Sequence, residues 1–90
     1  MFDKERFHNA LALSLGYERI VNDKRITIDV DDSEDPWVTL KFLNSPEIIR
    51  FKASGKADSA FADKIPAMKE EINSIICSVR NAYIVSTKPF

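Results

Sequence analysis

The sequence predicts an α+β fold: a two-layer arrangement in which an antiparallel meander of three to four strands carries an N-terminal and a C-terminal helix on one face. Three observations lead there. The chain has 90 residues with 44% apolar and 30% charged content, which suits one core and is too short for two. Apolar residues recur at helical spacing at both ends and alternate in between. Turn-forming residues separate the alternating runs at short intervals, which favours hairpins over crossover connections. Residues 1–90 are therefore expected to form a single domain.

The first helix is expected over about residues 3–15. Asp3 is placed to cap it, Phe7, Ala10, Leu11, Ser14 and Leu15 share a face, and Gly16 offers a left-handed stop. A strand is then expected over Tyr17–Val21, because Asn22-Asp23 is favourable two-residue hairpin chemistry. Three further runs alternate cleanly: Ile26, Ile28 and Val30; Val38, Leu40 and Phe42; Ile49 and Phe51. Asn44-Ser45-Pro46 turns the second of these into the third. After Ala53-Ser54-Gly55-Lys56, helical sequence begins at Asp58 or Asp63, with Pro66 tolerated in a first turn. Ile65, Met68, Ile72, Ile75, Ile76, Val79 and Tyr83 form one stripe, and Glu70, Glu71, Ser74, Ser78 and Asn81 are expected to face water. Tyr83-Ile84-Val85-Ser86-Thr87 is β-branched and aromatic, so an extra edge strand there competes with continued helix.

This order of helix, meander and helix resembles the double-stranded RNA-binding domain, and Ser54-Gly55-Lys56 precedes the last helix where that family begins a basic one. The stretch Lys56–Lys64 alternates in charge where the family has a lysine cluster, and the fourth strand departs from its sheet. The resemblance therefore implies shared topology without inherited function.

Formal charge is −1, so no global field draws the chain to nucleic acid or to an anionic membrane. Residues Met1–Arg6 lack the apolar stretch of a signal peptide, and no apolar run reaches the ~18 residues of a membrane span; the expected location is cytoplasmic. Cys77 is the lone cysteine, which leaves no internal disulfide and no thiolate cluster; it is expected as a small core or flank residue. His8 is the lone histidine, on the flank of the first helix, with no acid or serine fixed beside it. With two glycines and neither a Cys–His pair motif nor a nucleophile elbow, catalysis is not expected, and neither are a cofactor or a small-molecule substrate.

The stretch from Asp29 to Asp35 packs five of the fourteen acids into seven residues, immediately before Pro36 and Trp37, the only tryptophan. Asp29, Asp31, Ser33 and Asp35 alternate as calcium ligands do, but Glu34 stands where such a loop needs glycine and Leu40 where it needs a bidentate acid, so no metal site is expected. A hydrated turn, or an anionic tip that docks on a basic surface, fits better.

With helices over one side of the sheet, the pleat turns Arg25, Thr27, Asp29, Trp37, Thr39, Lys41, Ile48, Arg50 and Lys52 outward. The expected function is a small non-enzymatic module that binds a partner protein, or itself as a homodimer, through this face and the acidic loop. Trp37 and Ile48 would anchor; Arg25, Lys41, Arg50 and Lys52 would orient; Asp31, Asp32 and Asp35 would supply the anionic tip. The alternative is a nucleic-acid-binding module on the same face, with Trp37 stacking and the cations on phosphates.

Overall fold

A computed structural model describes residues 2–16, 25–55 and 59–87. Helix α1 (Lys4–Leu15) starts where Asp3, in extended backbone, accepts a hydrogen bond from the Arg6 amide at 3.1 Å, and ends at Gly16 with φ +76°. Its Phe7, Leu11 and Leu15 are buried. Strands β1 (Ile26–Val30), β2 (Trp37–Phe42) and β3 (Ile48–Lys52) form an antiparallel sheet in that order. Ile28 stands opposite Leu40, and Leu40 opposite Ile49, so the three alternating runs point their apolar residues to one side.

Helix α2 (Ser59–Ala62) and a single 3₁₀ turn (Pro66–Met68) precede helix α3 (Lys69–Thr87). The helical start expected from Asp58 or Asp63 is thus broken into pieces. Ile65 donates to the Ala62 carbonyl at 3.2 Å and Met68 to the Ile65 carbonyl at 3.0 Å, which closes tight turns around Pro66 where a continuous helix would need the amide that proline lacks. Phe61 lies against Phe51, ring centres 5.9 Å apart, and so anchors α2 to β3.

Helix α3 buries Ile72, Ile75, Ile76, Val79, Ala82 and Ser86. With α1, it covers the side of the sheet that carries Ile26, Val38, Leu40, Phe42, Ile49 and Phe51, and all of these join one core cluster. Each such side chain taken fully from water contributes about 1.5–3 kcal/mol, so the cluster is the main source of stability. The run Tyr83–Thr87 continues the helix and adds no strand. The Ser86 and Thr87 hydroxyls donate to the Tyr83 carbonyl at 2.8 and 3.0 Å, and Tyr83 packs on the core in helical register. The strand expected over Tyr17–Val21 and its Asn22-Asp23 turn lie outside the described residues.

Three positions on α3 differ from expectation, Ser78 among them, which is half-buried instead of facing water. Cys77 is exposed, because it falls between the buried Ile76 and Val79 on the opposite side of the helix. Glu71 is half-buried instead of facing water, since Arg25 reaches it from the start of the sheet, Nη2 to Oε1 3.4 Å.

Candidate functional site

The side of the sheet away from the helices carries no other element among the described residues. The register sets its side chains in rows: Thr27, Lys41 and Ile48; Asp29, Thr39 and Arg50; Trp37 and Lys52. Lys41 reaches diagonally to Asp29, Nζ to Oδ2 3.5 Å. Trp37 is half-buried outside the core cluster, with the Arg50 guanidinium 4.5 Å and the Lys52 ammonium 5.2 Å from its ring centre. Such cation–π contacts contribute about 0.5–1 kcal/mol each at an exposed site and hold the cations over the indole. Ile48 is 55% exposed at the other end of the face.

Eight of the nine residues expected on this side are brought together there. Arg25 is the exception: its guanidinium bends to Glu71 in the helical layer, so it does not join the row of cations. Leu43, 69% exposed, extends the face instead. Its amide donates to the Arg25 carbonyl at 3.0 Å, which prolongs the ladder one residue past β2 and keeps Leu43 on the outward parity. The alternation Trp37, Thr39, Lys41, Leu43 was the signal that could have found it.

The acidic loop between β1 and β2 is fastened from within. Asp31 Oδ1 accepts from the Ser33 amide at 3.1 Å, the Ser33 hydroxyl and the Trp37 amide at 3.2 Å, while its own amide donates to the Trp37 carbonyl. These bonds, the Ser33 hydroxyl first, hold the Asp31 carboxyl below the usual carboxylate range, with Arg50 adding a smaller attraction. Asp32 pairs with Lys4 of α1, and Glu34 accepts from the Phe2 amide at 3.1 Å. Asp35 accepts from the Ser54 amide at 3.1 Å and from the Ser54 hydroxyl, beside Pro36, whose carbonyl takes the Ala53 amide at 2.9 Å. The four carboxylates therefore tie the loop to itself, to the start of α1 and to the end of β3. Each carboxylate of the expected anionic tip thus has at least one oxygen bonded within the chain, while the Asp32 side chain stays 80% exposed.

Under this loop Phe2 stacks on Tyr83 at 5.8 Å and meets Phe7 at 5.4 Å. Partial burial, and then the charges of Asp35 and Glu34, push the Tyr83 hydroxyl above its ordinary value. His8 is exposed, its ring edge-on to Phe7 at 5.8 Å. Among the described residues no three His, Cys, Asp or Glu side chains are grouped to hold a metal ion, and no helix is long and apolar enough to cross a membrane. Comparison with protein-family models, curated proteins and solved structures gives no match for this chain.

Proposed function

We propose that the chain is a non-enzymatic protein-interaction module whose contact surface is the face of its sheet that no other described element covers. One observation carries the reading: the outward antiparallel face bears a tryptophan held under arginine and lysine at one end, with exposed Ile48 at the other. Aromatic and arginine anchors inside a rim of charge are the composition of protein-binding hot spots. The nucleic-acid reading uses the same residues but needs an open indole for a base to stack on, and here two cations already lie over the ring. In this reading the acidic loop helps to shape the face, since the Trp37 amide donates to Asp31.

A photo-activatable cross-linking residue at the exposed Thr27, introduced in the source cells, tests this, with the same residue at exposed Asn81 on α3 as control. Thr27 should yield protein adducts that Asn81 does not, and Trp37→Ala together with Arg50→Glu should remove them. Adducts to nucleic acid, or adducts indifferent to both substitutions, would overturn the proposal.

A further inference from the structure

We infer that the occupant of the uncovered face is an acidic segment of another protein, with carboxylates set around apolar side chains, and not a second copy of this chain. The inference rests on the protein-contact reading above and names the chemistry of the partner. Among the described residues, Lys41, Arg50 and Lys52 share the face with a single acid, Asp29, on a chain whose formal charge is −1. Asp29 answers Lys41 alone, so Arg50 and Lys52 meet no carboxylate on the face and converge on Trp37. Apolar contacts are available at both ends. Trp37 stands opposite Lys52 and Lys41 opposite Ile48, which puts Trp37 and Ile48 about four residue steps, or roughly 13 Å, apart along the strands, with exposed Leu43 beyond.

A second copy laid face to face would set three cations and one anion against the same set, and like-charge juxtaposition is costly. The chain's own acidic loop is tied down beside the face, with Asp31, Asp32, Glu34 and Asp35 bonded to Ser33, Lys4, Phe2 and Ser54. That loop also borders the Trp37 end of the face, close enough for Arg50 to act on Asp31. A long polyanion running past this end would meet repulsion, whereas a short patch of carboxylates would not. The geometry therefore fits a compact acidic and apolar surface better than a nucleic-acid strand.

Selection of a random-peptide display library on the immobilised whole chain, followed by anisotropy titration of fluorescein-labelled winners, tests the inference. Enriched peptides should be net negative and should carry aliphatic or aromatic residues. Their affinity should fall about tenfold or more with Arg50→Glu or Lys52→Glu, less with Lys52→Gln, and should fall again with Trp37→Ala, all variants keeping the wild-type far-UV spectrum. Neutral or basic winners that Trp37→Ala releases would overturn the acidic partner while leaving the face as a protein-contact surface. Concentration-dependent dimers in light scattering, abolished by Arg50→Glu, would do the same. Acidic winners that bind Trp37→Ala unchanged, or displacement of all winners by an oligothymidine strand alone, would sink both readings. An unenriched library would sink the acidic partner.

Discussion

Asp31 makes the clearest case at the scale of single residues. Its carboxylate accepts from two amides and a hydroxyl, so ionisation is favoured in the folded chain and the folded pKa lies below the unfolded one. Stabilisation from such a group is present above the unfolded value, about pH 4, and is lost as pH falls through the folded value. Asp31→Ala should therefore lower the melting temperature at neutral pH, and the gap to wild type should narrow steadily in acid. Thermal melts across that range check it, and a gap that widened in acid would contradict the assignment. The dense acids of this loop could be read from the sequence as turn chemistry. Their partners could not, since Lys4, Phe2 and Ser54 lie 28, 32 and 19 residues from the carboxylates that hold them. For the same reason the Arg25–Glu71 pair, 46 residues apart, which draws the Arg25 guanidinium away from the outward face, could not be read from the sequence.

Among the elements, the helices and strands were legible to the extent that burial repeats with their own period. The stripe Ile72, Ile75, Ile76, Val79 is buried as its spacing requires, and α1 runs from its aspartate cap to its glycine. Ile76→Ala should cost about 2–5 kcal/mol, because the side chain is enclosed and its loss leaves a cavity. Ile84→Ala, further along α3 but partly open to solvent, should cost less than about 1 kcal/mol in the same urea titration. At the end of α1, Gly16 has open space around its Cα but a positive φ, so Gly16→Ala should destabilise by about 1 kcal/mol through backbone strain alone. What period could not show was where a helix breaks. The interruption at residues 63–65 and the 3₁₀ turn at Pro66 depend on a missing amide and on Phe61 meeting Phe51 from another element. The β-branched run at Tyr83–Thr87 favours strand locally, yet the burial of Ala82 and Ser86 in helical register outweighs that weak preference.

For the molecule as a whole, one alternation decides both the core and the proposed contact surface. The residues that β1, β2 and β3 give to the helices build the core, and the residues they give to the other side build the outward face, so that face followed from the pleat once the core was identified. Its finer content, the closing of Arg50 and Lys52 over Trp37 and the recruitment of Leu43, needed the cross-strand register. This shared origin has a measurable consequence. Far-UV ellipticity reports mainly on α1 and α3, whereas fluorescence of the single tryptophan reports on the outer side of the sheet. Since one cluster joins Phe7 and Leu11 of α1, Val38 and Leu40 of β2, and Ile72 and Ile76 of α3, neither layer has a core of its own to survive on. The two signals should trace one transition in urea with the same midpoint and slope, and Ile76→Ala should shift both equally although Trp37 lies outside the core cluster. A tryptophan signal that held its midpoint while the ellipticity moved would mean that the sheet and its contact face persist without the helical layer.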